Sequence, residues 1–211
     1  MTKKEIADKL KLIQAASISD VLDGICGIGE NGMFTSMSPE IKCRVPGCRM
    51  AGTAFTVLLY PFDNTSMGEA VQHAKKGDVI VAASPHEGYV SWGELFARRA
   101  VDKGIAGMVT NGATRDLLQT KDLMFPQFTK NISVKATFNS GRKGALNIPI
   151  LIGGIIVRPG DWIVGDDDGV VAIPAEMVME VIEKAKEWDE GGEVERAIQD
   201  TAGKIIKKSL N

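Results

Sequence analysis

The stretch WGELFARRAVDKGIAGMVTNGATRD, residues 92–116, decides the fold. Its first half sets Leu95, Phe96, Ala100 and Val101 at helical spacing and stops at Gly104, where a left-handed residue is needed to end the helix. The apolar run IAGMVT (105–110) follows at once and predicts a buried strand. One cycle earlier the order is the same: TSMGEAVQHAKKGD (65–78) predicts a helix closed by Gly77, and DVIVAAS (78–84) a strand. Two cycles of helix, tight turn and apolar strand predict βαβ crossovers and parallel pairing, hence an α/β fold.

Upstream, RVPGCRMAGTAFTVLLY (44–60) reads as one or two strands turned at Pro46-Gly47. Residues 3–16 carry Ile6, Leu10 and Ile13 between lysines, a short amphipathic helix, and SISDVLDGI (17–25) predicts another with Ser17 or Ser19 as N-cap. Downstream, ISVKATFNS (132–140), IPILIGGIIV (148–157) and DWIVGDDDGVVAI (161–173) read as strands with Pro-Gly and Asp-Gly turns between them. After Pro174 the pattern turns helical, with Met177, Val178, Val181, Ile182 and Ala185 on one face. DEGGE (189–193) interrupts it, and Val194 to Ile206 resumes as a tail helix. We therefore expect one domain over 1–175 and a helical tail over 176–211, packed on the domain or on a neighbouring subunit.

Composition narrows the function classes. The 211 residues are 44% hydrophobic and 25% charged, enough to bury a full core, and the net charge of -2 gives no general attraction for nucleic acid or an anionic membrane. No apolar run is long enough to span a bilayer, and the start MTKKEIADKLKLIQAAS lacks a secretory apolar core, so a cytoplasmic protein is expected. Cys26, Cys43 and Cys48 form an odd set without a CxxC pair, which argues for free thiols rather than zinc.

Several motifs fall away on context. GIGENG (27–32) satisfies G-x-G-x-x-G, but no strand precedes it and no helical period follows, so it reads as a loop. GDDDG (165–169) lacks the alternating ligands of a calcium loop and reads as an acidic turn. His73 and His86 stand too far from a nucleophile to suggest a triad.

The end of the opening stretch is different. Arg115 offers a planar fork for a carboxylate or oxo-acid, and Asp116 offers hard oxygens for Mg2+ or Mn2+. Twenty residues separate Glu94 from Arg115, room for one helix and one strand, so the helix start and the strand exit can share one end of the sheet. Beside Gly93, the amides of Leu95 and Phe96 at that helix start would be free donors, an anion seat. The plainer alternatives are a first-turn acid offsetting the helix dipole and a surface ion pair.

These pieces, together with SISDVLDGI, AGTAFTV (51–57), KKGDVIVAA (75–83) and GDWIVGDDDGVVAIP (160–174), resemble the RraA-like family over about residues 15 to 175. The resemblance implies a swivelling β/β/α sandwich that assembles as a homotrimer or hexamer. Its aldolase branch cleaves 4-hydroxy-2-oxo acids such as 4-hydroxy-4-methyl-2-oxoglutarate to pyruvate with a divalent metal, and decarboxylates oxaloacetate through the same pyruvate enolate. That branch carries an acid, twenty residues, then Arg-Asp. Arg115 and Asp116 match; Glu94 stands where aspartate is usual, and Asn111 where DGAVRD-like sequences carry aspartate. On this reading Asp116 holds the metal, and Arg115 stabilises charge on the C2 oxygen. Gly93, Leu95 and Phe96 seat the carboxylate, and Glu94 positions the water that takes the C4 hydroxyl proton. The alternative is the family's regulatory branch, a non-catalytic protein that binds a ribonuclease; it tends to lack a complete metal-site pattern.

Overall fold

The computed structural model describes residues 1–26 and 35–186. In chain order the elements are α1 (Lys3–Leu10), α2 (Ala15–Cys26), β1 (Lys42–Cys43), β2 (Met50–Leu58), α3 (Thr65–His73) and β3 (Asp78–Ala83). Then come β4 (Val90–Trp92), α4 (Glu94–Lys103), β5 (Gly107–Thr114), α5 (Leu117–Asp122) and β6 (Gln127–Ile132). The last third holds β7 (Ala145–Leu146), β8 (Ile150–Ile152), β9 (Ile155–Val157), β10 (Trp162–Asp166), β11 (Gly169–Ile173) and a 3-10 turn (Ala175–Met177), with residues 178–186 helical.

The predicted crossovers are present. β2, β3, β5 and β6 pair in parallel, joined through α3, α4 and α5, while β10 pairs antiparallel with both β2 and β11. The sheet order is β1-β6-β5-β3-β2-β10-β11, with β4 beside β5 and β7 beside β2. β3 shows why these runs are apolar throughout. Val79, Val81 and Ala83 point to one core, and Ile80 and Ala82 to the other, because a parallel strand is covered on both faces.

The first core lies between the sheet and the β8–β9 hairpin; the second lies between the sheet and α3 and α4, giving the expected β/β/α layering. A third packs α1, α2 and residues 178–186 on β10 and β11, and there Val178, Val181, Ile182 and Ala185 are buried, the face read from the sequence. The sheet curls strongly. A Cβ on Gly165 of β10 would sit 2.8 Å from the Phe128 ring of β6, and one on Gly107 of β5 would collide with the Met50 side chain of β2. Strands far apart in the sheet order thus meet across the first core.

Several expectations are corrected. The first helix ends at Leu10 instead of running to residue 16, and α2 starts at Ala15 rather than after a serine cap. The acceptor for the Ala15 amide is Asp166 Oδ2, at 2.9 Å, so this cap is tertiary and invisible to local reading. GDDDG is indeed a tight turn, joining β10 to β11; Asp166 also accepts from the Asp168 amide, and Asp167 from the Gly47 amide. α3 stops at His73, and Gly77, with φ of 84°, serves the following turn instead of closing the helix. Of ISVKATFNS only Ile132 is strand. The rest is a strap held by single bridges, Ala136 on Val90 of β4 and Phe138 on Asp63, and by the Ser133 amide on the Thr114 carbonyl of β5, contacts too scattered to build a ladder. β4 and α5 are too short for a periodic signal. GIGENG and the tail helix from Val194 to Ile206 lie outside the described residues.

Candidate active site

Parallel pairing of β4 with β5 sets Val90 opposite Ala113 and Trp92 opposite Thr114. The next residues of each strand are therefore neighbours, Gly93-Glu94 on one side and Arg115-Asp116 on the other, and the Arg115 amide donates to the Trp92 carbonyl at 3.2 Å. This pairing brings together the residues that twenty positions of sequence hold apart.

Asp116 adopts a left-handed backbone, φ 59° and ψ 43°, uncommon for a residue with a side chain and often tied to function. It precedes α5 without capping it; its carboxylate turns back instead and accepts the Glu94 amide at Oδ2, 3.2 Å away. Arg115 Nε lies 3.6 Å from the same oxygen. Both side chains are well exposed, at 48% and 37%, so this pair contributes little to stability and a strained backbone is not there for its sake. Gly93 is what lets the carboxylate approach. A Cβ there would stand 2.8 Å from Asp116 Oδ2.

Around these groups lies a cavity of about 130 Å³ lined by Gly93, Leu95, Phe96, Arg115 and Asp116, with Asn64, Val90 and Trp92, and with Ala136, Thr137 and Asn139 of the strap. At the start of α4 the first in-helix bond is from the Ala97 amide to the Gly93 carbonyl, so the Leu95 and Phe96 amides have no acceptor among the described residues. They are the expected anion seat.

Glu94 is placed differently from the expectation. Its carboxylate accepts from Arg98 Nε at 2.8 Å, one turn along α4, and it is absent from the cavity wall. An i,i+4 partner of opposite charge outcompetes the cavity for a glutamate, whose longer stem reaches along the helix. Its backbone amide, not its side chain, takes part in the arrangement.

Within the described residues Asp116 would hold a metal through a single carboxylate. Among the described residues no group of three or more His, Cys, Asp or Glu side chains converges, so a cage is ruled out there. A single carboxylate with Oδ1 left without a partner suits Mg2+ or Mn2+, which retain water and take substrate oxygens as ligands.

Asn111 is a pin, not a ligand. Its amide accepts from Ser84 N–H at 2.7 Å and donates to Ser84 O at 2.9 Å, a two-way contact that an aspartate cannot make. His86 stacks on Phe62, with ring centroids 3.5 Å apart, and His73 is solvent-exposed. Cys43 is no nucleophile, since burial pushes its thiol up to about 11. The residues that sequence reading missed are Asn64 and the strap. Asn64 stands just before α3, and a hydrogen-bonding side chain at a helix start was a signal available to find it.

An Arg-Asp pair and a bare helix start thus share one end of the parallel strands, where ligand crevices form in open α/β sheets. The chain matches the RraA-like family, described as Aldolase/RraA, over residues 15–172, and it belongs to that family. It is 36% identical over 194 residues to a protein of Halalkalibacterium halodurans, covering 91% of this chain and 88% of the relative, which is provisionally named a 4-hydroxy-4-methyl-2-oxoglutarate aldolase. A crystal structure of an uncharacterized protein from Pseudomonas syringae superposes with a TM-score of 0.79 at 27% identity, covering 94% of this chain and 90% of that one. The Streptomyces coelicolor protein RraAS2, described as an unusual member of the RNase ES inhibitor RraA family, shares the fold with a TM-score of 0.77 at 24% identity, covering 92% and 97%.

Proposed function

We propose that this protein is a divalent-metal-dependent aldolase that cleaves 4-hydroxy-2-oxo acids to release pyruvate, and that it decarboxylates oxaloacetate at the same site. The observation that carries the reading is the meeting of Arg115, Asp116 and the unpartnered Leu95 and Phe96 amides around one cavity. The name of the Halalkalibacterium relative supports it.

Each residue has a task. The Leu95 and Phe96 amides hold the C1 carboxylate, aided by the positive end of α4. Both reactions push an electron pair toward C3 and leave negative charge on the C2 oxygen. The Arg115 guanidinium stabilises that charge where it develops. Asp116 would hold Mg2+ or Mn2+, which supplies Lewis-acid polarisation of the oxo-acid oxygens. The guanidinium stands 3.6 Å from Asp116 Oδ2, and the Glu94 amide orients the carboxylate. A role for Glu94 in positioning the water that accepts the C4 hydroxyl proton requires its carboxylate to leave Arg98.

The test is a pyruvate assay coupled to lactate dehydrogenase, with 4-hydroxy-4-methyl-2-oxoglutarate or oxaloacetate, with Mg2+ or with EDTA. Activity should require the metal, vanish in Asp116→Ala and fall by about 10²–10³-fold in kcat for Arg115→Ala. Full turnover of Asp116→Ala in EDTA overturns the assignment. Absence of pyruvate from both substrates with Mg2+ and Mn2+, together with capture of a ribonuclease, would establish the regulatory reading instead.

A further inference from the structure

We propose that Asn64 reads the C4 hydroxyl of the substrate, its side-chain oxygen accepting the hydrogen bond that this hydroxyl donates; the assignment rests on the function proposed above. Asn64 lines the cavity, is 7% exposed, and donates from Nδ2 to the Ser91 carbonyl at 3.2 Å. That contact fixes the orientation of the amide, because a carbonyl can only accept and the flipped amide would set oxygen against oxygen. The group left over is therefore Oδ1, which is buried and meets no donor among the described residues. A buried acceptor without a donor is costly and rare. Asn64 lines the cavity beside the exposed strap, so a ligand that shifts the strap to reach Oδ1 is the natural source of one.

Oδ1 selects for a donor and against an anion. At neutral pH a 4-hydroxy-2-oxo dicarboxylate has two carboxylates and a ketone, all acceptors, and a single donor, the C4 hydroxyl. Of the other polar groups on the wall, the Leu95 and Phe96 amides and Arg115 face acceptors, and Asp116 Oδ2 is taken by Arg115 and the Glu94 amide while its Oδ1 is left for the metal. The Thr137 hydroxyl donates to the Val90 carbonyl, and Asn139 is exposed. The Glu94 carboxylate, engaged by Arg98, does not compete for the hydroxyl in the bound ground state; the water that takes the proton replaces Asn64 Oδ1 as its acceptor when the C3–C4 bond breaks. The Trp92 indole N–H is also buried without a partner, but its ring stacks against Phe125 and packs on Phe96 within the helix-side core. Asn64 is further braced by its own backbone, since its amide donates to the Phe138 carbonyl of the strap at 2.7 Å.

The experiment compares two ligands that differ only at C4 and have a single carboxylate, so that neither can bind end for end. Both 2,4-dihydroxybutanoate and 2-hydroxybutanoate lack the C2 carbonyl that cleavage needs, so calorimetry of the Mg2+-loaded protein reads binding alone. We expect wild type to prefer the C4-hydroxylated ligand by about tenfold, the worth of one hydrogen bond to a buried group, and Asn64→Ala to show a ratio near one. Asn64→Ser, whose shorter side chain withdraws the amide oxygen but leaves a polar group before α3, reads the same ratio should the alanine variant not fold. Equal affinities in wild type, or an unchanged ratio in the variants, overturn the assignment whatever the pyruvate assay shows. A protein that prefers the hydroxyl ligand yet releases no pyruvate keeps this assignment and loses the enzymatic one.

Discussion

Gly93 and Asp116 show how a single atom's absence shapes the site. Gly93 has an extended backbone, φ -175°, which any residue adopts, so its lack of a side chain serves space and not conformation. In Gly93→Ala the new methyl would meet Asp116 Oδ2 at 2.8 Å and Arg115 Cγ at 3.4 Å. A carboxylate at the end of a short side chain can move aside, so stability should change by no more than about 1 kcal/mol. The moved carboxylate would no longer face the cavity, and pyruvate release should drop by at least about tenfold. A thermal melt beside the coupled assay checks both; unaltered turnover would mean that the placement of Asp116 is irrelevant to the chemistry. That Arg115 and Asp116 would stand together where a strand leaves the core was legible from their place after an apolar run. That Glu94 would turn to Arg98 was not, because the sequence offered the cavity and the helix partner equally.

At the scale of elements the strap over residues 133–142 has the most to teach. It carries no ladder, so a buried aspartate does the holding. Asp63 accepts from the Ser140 hydroxyl and amide (2.9 Å to the amide) and from the Thr65 amide and hydroxyl at 2.8 and 2.6 Å. The Ser140 hydroxyl above all, then that of Thr65, holds its carboxyl well below the usual carboxylate range, against the opposing effect of burial. A carboxyl depressed on folding adds stability that is complete above its unfolded value near about 4 and is lost as pH falls through the folded value. Urea midpoints should therefore show wild type ahead of Asp63→Asn at pH 7, with the gap narrowing as pH falls from about 5 to about 2. A gap that stays constant over that range would show that the charge of Asp63 is not what ties down the strap. The segment read as a strand in the sequence because Ile132, Val134 and Ala136 alternate with polar residues. In the fold that alternation meets only a single bridge, Ala136 to Val90 of β4, instead of a continuous partner strand, and Val134 is 89% exposed.

Across the whole molecule, the curl of the sheet brings Phe128 of β6 against Gly165 of β10, and the phenyl ring is fully buried between strands that never pair with each other. Phe128→Ala should cost about 3–5 kcal/mol, because the close-packed inner core around Met50, Val109 and Ile163 cannot collapse into the space. A urea titration with an unchanged slope and a lower midpoint is the expected result; a loss under about 1 kcal/mol would mean that the strands do not meet there. The alternation of helix, turn and apolar strand determined by itself that the sheet is parallel at its centre and covered on both faces, since those runs can be buried in no other way. It also determined which face of residues 178–186 packs inward, and that an arginine and an aspartate stand where a strand leaves the core. Only the tertiary structure decided that Asp166 caps α2 from 151 residues away, that β4 lies beside β5, and that Asn64 joins the cavity wall. The reason is physical. Periodicity records how much of a residue is buried, whereas caps and sites depend on directional bonds between segments whose approach is set only when the cores close.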